Sequence, residues 1–435
     1  MPAVSQPKAT HARYGVVGFS LCLAAVAYLD RVCISAAAGA MRSDLGLTAE
    51  QMGYVFSAFT LAYALFEVPS GWLADRFGPR LMLARVVIWW SLMTALTGWV
   101  WGFMSLLLVR FLFGMGEAGT YPGISRAFSR WLPLDALGGA FGITVAAGVF
   151  GGALTQRLTV TCLEHLSWRC TFMLYSMAGL AWAAAWVIWF RDDPHVHKGV
   201  NQEELRLIGS HPPKPHPPVP WRAMLRNRGV AAICLMYLGT IYGWYLYLTW
   251  LPTYLNEARG FNMRAVGWLS AMPLFCIGLS VLGGGWLSDR LCRRFGLRWG
   301  RRLPGLIGLP LAIVALVAAV FTSHPLASAL LFGLSAGLSA LGVAAGWAVC
   351  LEIGGDHAGV VTGAMNMFGN MGGALSPVVL GCCLQRWHSW NHGLLTVAFF
   401  YAMAAVCWLW IDPLHPLEKR LKQAEAPQRD QENGG

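Results

Sequence analysis

Four ionisable side chains stand inside otherwise apolar sequence. "AYLDRVCIS" at 27–35 carries Asp30 and Arg31, and "VRFLFGMGEAG" at 109–119 carries Arg110 and Glu117. Carboxylates and guanidinium groups in such surroundings hold protons or bind anions, because each costs several kcal/mol unless it is paired or faces a wet cavity. Neighbours on a helix point about 100° apart, so Asp30 and Arg31 satisfy one another poorly and each needs a partner on another helix. Arg110 and Glu117 lie two turns apart and share a face. At a rise of about 1.5 Å per residue, Asp30 lies about 10 Å from the end of its apolar run and Arg110 about 8 Å from the start of its own. Glu117 lies about 18 Å deep, near the middle of a membrane. Asp30 therefore matches Arg110 in level. Desolvation favours a neutral carboxyl and a nearby Arg favours the ionised one, so small rearrangements could switch a proton on or off. A static buried ion pair is the competing reading for Asp30 and Arg110.

The elements that must position these groups are membrane helices. The chain has 435 residues, 56% hydrophobic and only 12% charged, against about a quarter charged in a soluble domain. Apolar runs at 16–29, 86–109, 174–190, 230–255, 303–320 and 394–411 are long enough to cross about 30 Å of hydrocarbon. Twelve candidate spans begin near Tyr14, Gly53, Leu81, Ser105, Leu137, Trp168, Gly229, Ala265, Leu303, Leu326, Gly359 and Asn391. The expected architecture is an all-α integral membrane protein of twelve transmembrane helices in two pseudo-symmetric six-helix bundles. A cytoplasmic tail covers 1–13, the first bundle 14–190, a linker 191–228, the second bundle 229–412 and a second tail 413–435. In the linker, "HPPKPHPPVP" forbids a regular helix, whereas "NQEELRLIG" can form a short amphipathic one.

The formal charge of +11 is explained by topology. With the N terminus inside, 24 of the 32 Lys and Arg residues fall on inner segments and 6 on outer loops. This is the positive-inside pattern, with both termini cytoplasmic, and it removes the case for nucleic acid. The first span carries Asp30 and Arg31 and lacks a small-residue cleavage pattern, so it is not a cleaved signal. The eleven cysteines are scattered without zinc-like spacing, and no metal site is expected. "GMGEAG" at 114–119 fits a dinucleotide fingerprint, but no strand precedes it; its glycines more plausibly allow close packing beside Glu117. There is no Walker loop, so ATP does not drive the protein, and neither an enzyme activity nor a cofactor other than the proton is expected.

The halves repeat. "GWLADRFGPR" at 71–80 recurs as "GWLSDRLCRR" at 285–294, and "GGALT" at 151–155 as "GGALS" at 372–376. Duplicated six-span halves describe a transporter that rocks about a central site. The motif "GWLADRFGPRLML" resembles the loop motif of the major facilitator superfamily. "YLDR", "QMGYVFSAFTLAYALFEVPSGWLADRFGPR", "RFLFGMGEAGTYPG", "LTWLPTYL" and "TGAMNMFGNMGGALSP" resemble its anion:cation symporter family. That family includes bacterial sugar-acid and hexuronate proton symporters and sialin-type organic-anion carriers. The likeness runs from about Tyr14 to Pro413.

The resemblance implies that Asp30 and Glu117 carry coupling protons, with Arg110 beside them, and that Arg31 contacts the substrate carboxylate. Arg suits that task because its planar fork makes two hydrogen bonds. It also implies that Tyr63 lines the site and that Asn366 and Asn370 face it. The Asn pair, one turn apart, also shares a face by spacing; polar glue between helices is the competing role for Asn370. Two features depart from the sugar-acid carriers. Glu67 stands where a neutral amide is usual, as an extra titratable group or a partner near the cytoplasmic gate. Tyr237 occupies a position where Gln is expected; Tyr242, Tyr245 and Trp250 could stack on a ring or belong to an aromatic belt. Asp75 and Asp289, with Arg76, Arg80 and either Arg126 or Arg130, are expected to latch the gate. The function implied is proton-coupled import of a small organic anion, a hexuronate, aldonate or aldarate, by a monomer in a bacterial inner membrane. The alternatives are an exporter or exchanger of aromatic acids or drugs on the same fold, and a transporter-like sensor.

Overall fold

The computed structural model describes residues 8–133, 136–209, 224 and 227–414; the side chains of Val68, Asp75 and Asp356 lie outside that description. So do the proline-rich part of the linker and the tail beyond Leu414. In chain order the helices of the first half are α1 (Ala12–Leu45), α2 (Ala49–Phe77), α3 (Pro79–Thr97), α4 (Phe103–Glu117), α5 (Thr120–Trp131), α6 (Leu137–His165), α7 (Trp168–Trp189) and α8 (Gln202–Ile208). Those of the second are α9 (Arg228–Thr249), α10 (Leu251–Glu257), α11 (Met263–Phe321), α12 (Pro325–Ala340), α13 (Val343–Gly354), α14 (Ala358–Trp387) and α15 (Trp390–Trp410). No strand occurs among the described residues.

Among the described residues, ten helical stretches are long and apolar enough to cross a membrane. One of them, α11, has 59 residues and would reach about 88 Å if straight. Its backbone leaves the helical region at Gly296 (φ 78°, ψ 165°), which divides it into two spans. With the 29-residue α2 the count is twelve, as the sequence predicts.

The internal repeat recurs as backbone geometry. Gly78, between α2 and α3, has φ 78° and ψ 155°, nearly the conformation of Gly296. Only glycine adopts this region without strain, so the chain turns in the same way after the "GWLADRF" and "GWLSDRLCRRF" segments. A second echo lies in the broken spans. The stretch 103–131 parts between α4 and α5 immediately after Glu117, and 325–354 parts between α12 and α13 at Leu341 and Gly342. In the first break Pro122 has no amide proton to offer the preceding turn. Nearby, the Thr120 hydroxyl donates to the Glu117 carbonyl (2.6 Å).

Contacts divide the chain into two units, Met1–Gly46 with Leu61–Lys214, and Leu47–Thr60 with Pro215–Gly435. In the first, α1 packs on α6 and α7, and α3 on α4, α5 and α7. In the second, α9 packs on α14 and α15, and α11 on α12. The first turns of α2 group with the second unit. There Gly53 lies under the Pro377 carbonyl of α14, leaving 2.6 Å to a would-be Cβ.

Outside the spans, the "NQEELRLIG" segment folds as α8 and caps α1. The Glu204 carboxylate, fully buried, accepts from the Thr10 hydroxyl (2.5 Å), the Ala12 and Arg13 amides (3.2 and 3.0 Å) and the Arg13 guanidinium (3.2 Å). A carboxylate on the unsatisfied amides at a helix start is favourable in charge and in hydrogen bonding.

The paired glycines give a direct test. Any side chain at either position carries about 1–3 kcal/mol of backbone strain. A methyl at Gly78 would also stand 3.0 Å from Asp192 Oδ1, whereas at Gly296 it would meet nothing within 4 Å. Gly78→Ala and Gly296→Ala should both lower the thermal midpoint of the detergent-solubilised protein, Gly78→Ala by more. An unchanged midpoint, or the reverse order, would contradict the conformational role.

Candidate functional site

The four charges found in the sequence gather in the first unit. Asp30, Arg110 and Glu117 are each at most 2% exposed, and the Arg31 side chain is 13% exposed. The direct ion pair is Arg31 Nη2 to Glu117 Oε1, at 2.5 Å. Depth alone pairs Asp30 with Arg110 and leaves Arg31 turned to the cavity; the structure gives Arg31 a carboxylate partner as well. The physical reason is the turn between neighbours on α1. Asp30 faces α3 and the stretch of α4 from Arg110 to Glu117, while Arg31 pairs directly with the last residue of α4.

Tyrosines complete the setting of Arg31. Its guanidinium lies over the rings of Tyr28 (5.1 Å) and Tyr63 (5.0 Å), where the negative ring faces attract a cation. Tyr28 reaches this position because Gly148 of α6 has no side chain; a Cβ there would come within 2.8 Å of the Tyr28 ring and 3.2 Å of the Tyr121 hydroxyl. Tyr121 and Glu67 are among the electrostatic neighbours of Tyr63. Sequence reasoning missed Tyr28 and Tyr121. Tyr28 sits three residues before Arg31, and Tyr121 four after Glu117, so helical spacing from the charges was the available signal.

Asp30 has different company. Arg110, Glu117, Thr94 and the Trp90 indole surround it, and the Arg110 guanidinium also lies 4.4 Å from the Phe113 ring centroid. The four groups thus sum to zero formal charge, with one close pair and one looser one.

Taken by itself, the second unit carries neutral groups at the positions the sequence singles out for substrate. Asn366 and Asn370 stand one turn apart on α14, both half-buried. Between and beside them, Gly369 and Gly373 receive the rings of Tyr237 and Tyr245 from α9. Tyr237 also meets Trp347 edge-on (6.1 Å, 89°). Tyr237 and Tyr245 therefore group with the amide-bearing helix. Tyr242 does not: it stacks on Phe400 (3.9 Å, 21°) and its hydroxyl bonds Thr396 (2.7 Å), both on α15.

At the expected gate, the Asp75 side chain lies outside the described residues. Arg76 is exposed beside Trp72 and Phe77. The acid found at the start of α3 is Asp192, which accepts from the Arg80 amide (3.0 Å) and lies 3.7 Å from Arg130. Arg126 is half-buried on the same helix as Arg130. In the second unit Asp289 pairs with Arg301 (2.8 Å), which also holds Glu352 (2.8 Å). Arg298, two residues after Gly296 as Arg80 is after Gly78, pairs with Asp412 (3.5 Å). Asp192 and Asp412 each follow the last span of their half, an equivalence that the sequence reading did not use.

Comparison with known proteins places this geometry. A family model described as Major Facilitator Superfamily matches residues 20–377. The chain is 34% identical over 409 residues to the "Probable sulfoacetate transporter" of Cupriavidus necator, covering 92% of this chain and 94% of that protein. It is 31% identical to the "Probable galactarate/D-glucarate transporter" of Escherichia coli K12, with 94% and 95% covered. Among solved structures, a bacterial homologue of the human lysosomal transporter Spinster aligns with a TM-score of 0.75 at 19% identity, covering 91% of this chain and 96% of that one. That likeness speaks for the fold alone. Family model, relatives and architecture agree over nearly the whole length: the chain belongs to the Major Facilitator Superfamily and is a membrane transporter.

Proposed function

We propose that this transporter imports a small organic anion together with protons, across a bacterial inner membrane with both termini in the cytoplasm. The observation that carries the reading is the buried Arg31–Glu117 pair. An arginine held by a carboxylate can exchange that carboxylate for one on a substrate, provided the first is neutralised. Protonation of Glu117 frees the guanidinium fork, and the anion takes its place through two charge-assisted hydrogen bonds. Loss of the proton on the cytoplasmic side restores the internal pair and expels the anion. Substrate and proton thereby travel together, because neither state with two carboxylates or with none on Arg31 is favourable.

The substrate class is drawn from the relatives and from the second unit. Proteins named as transporters of galactarate and glucarate, D-galactonate and hexuronate align along nearly the whole chain. Asn366 and Asn370 would bond the hydroxyls of such a sugar acid, since each amide both donates and accepts. Tyr237 would pack against its carbon chain. A second reading is favoured by the relative named for sulfoacetate, a compact anion with few hydroxyls. A panel of hexuronate, aldarate, aldonate and sulfoacetate in a thermal-shift screen separates the two.

Three outcomes follow. In proteoliposomes, an inward proton gradient should drive accumulation of the labelled anion, and a protonophore should collapse it. Uptake indifferent to the gradient, with efflux of other anions, would instead support an exporter. Glu117→Gln mimics the protonated state, so gradient-driven accumulation should fall at least about tenfold while counterflow exchange persists. Retained accumulation would remove Glu117 from coupling. Arg31→Lys keeps the charge but loses the fork, and should raise KM about tenfold or more. A KM equal to wild type would count against a carboxylate contact at Arg31.

A further inference from the structure

Asp30, which has Glu117 and Arg110 as its charged neighbours, also lies against a wall of polar groups on α3 that the transport reading leaves unused. From α3, Trp90, Ser91 and Thr94 are buried, with the Thr94 hydroxyl and the Trp90 indole turned to the Asp30 carboxylate. The Ser91 hydroxyl and Gln156 Oε1 are buried as well, with no hydrogen-bond partner among the described residues. Buried polar atoms in folded proteins are normally partnered, and clusters that the chain does not satisfy are where internal water is held.

The wall continues toward one end of the bundle. Gly179 of α7 receives the Ser91 hydroxyl and stands 3.4 Å from Trp90 Nε1, measured from a would-be Cβ. One turn earlier on α7 is Tyr175, 3% exposed. Its hydroxyl lies 3.1 Å from the Thr159 hydroxyl and 3.8 Å from Cys162 Sγ, both on α6. Cys33, one turn along α1 from Asp30, is an electrostatic neighbour of both Asp30 and Tyr175. Gln156 donates to Ser35 (3.0 Å) on the flank of this path. Beyond Cys162, residues 164–167 are exposed, so the polar line runs from a solvated helix end to Asp30.

We propose that Tyr175, with Thr159 and Cys162, forms a proton entry route to Asp30 through the interior of the first bundle, from the end opposite the N terminus. A hydroxyl both accepts and donates. Tyr175 takes a proton from the Thr159 side while passing its own hydrogen toward Asp30, and one proton is delivered with no net change at the tyrosine. The charged and titratable groups interacting with Asp30 are Cys33 on α1 and Glu117 and Arg110 on α4, and its neighbours on α3, Thr94 and Trp90, are neutral. Tyr175 is a positioning and relay residue, not a substrate contact. The route supplies protons without passing the site where Arg31 would hold the anion.

This inference rests on proton-coupled transport, and the test separates the two. Full-length Tyr175→Phe and Thr159→Val are reconstituted, and gradient-driven uptake and counterflow exchange are measured across external pH. The expected result for Tyr175→Phe is an initial rate of driven uptake about tenfold lower near neutral pH. The rate should recover as external pH falls, with exchange within about twofold of wild type. Thr159→Val should show the same pattern more weakly. Driven uptake unchanged in both variants, or equal loss in both modes with an unshifted pH profile, would overturn the route alone. Wild-type uptake that ignores the gradient would remove the coupling itself, and the route with it.

Discussion

Charge buried in hydrocarbon has to be balanced, and in the first unit two guanidinium groups and two carboxylates balance one another. Breaking a buried pair by removing one partner typically costs about 3–5 kcal/mol. The surrounding structure is consequently arranged to keep these four groups together. The fourth span breaks immediately after Glu117, which places its carboxylate at the end of α4 instead of within a continuous helix wall. Gly148 withdraws to admit Tyr28, and Tyr28 with Tyr63 encloses Arg31 from two sides. Under the proposed function, an anion that enters this site replaces a carboxylate already there. Coupling between anion and proton is, on that view, a consequence of electroneutrality at one arginine.

The two halves solve their turning points alike. After each copy of the repeated motif, a glycine in the same left-handed conformation reverses the chain. An arginine two residues later meets an aspartate that follows the last span of the same half. Because Asp192 and Asp412 sit beyond the membrane helices, each holds the start of its third helix to the end of its sixth. A contact of that kind fixes one end of a bundle as one body, which rigid-body rocking of either half requires. The clasp between Glu204 and the start of α1 adds the described part of the linker to the first of those bodies.

Much of this was legible beforehand. Hydropathy and the basic bias gave twelve spans and their expected siding, because crossing a bilayer imposes a length and a composition that few other constraints imitate. The repeat identified the halves, and depth arithmetic brought Asp30 to the level of Arg110. Partner choice was harder to read. Arg31 and Asp30 differ by one position, and whether a side chain pairs with Arg110 in the middle of α4 or with Glu117 at its end depends on helix rotation and on where α4 ends. Tyr242 illustrates the same limit. It shares its helix with Tyr237 and Tyr245, but its rotation commits it to Phe400 and Thr396. Asp192 escaped notice because it lies in a charged, linker-like stretch, where an acid looks merely solvated.

The asymmetry between the units completes the argument. Arg31, Arg110, Asp30 and Glu117 all lie in the first half, whereas the spans of the second half carry Asp, Glu, Lys or Arg only near their ends. The second half presents instead two amides and a set of aromatic rings packed onto a glycine-lined helix. Amides and rings discriminate among ligands by shape and hydroxyl pattern, but they cannot take up a proton near neutral pH. Under the proposed function, energy coupling therefore resides in one half and selection of the uncharged part of the substrate in the other. Such a division lets the substrate change by substitution on α9 and α14 without disturbing the charge balance. Relatives named for sulfoacetate, aldarates and hexuronates, aligned along nearly the whole chain, are the pattern of divergence that this separation would permit.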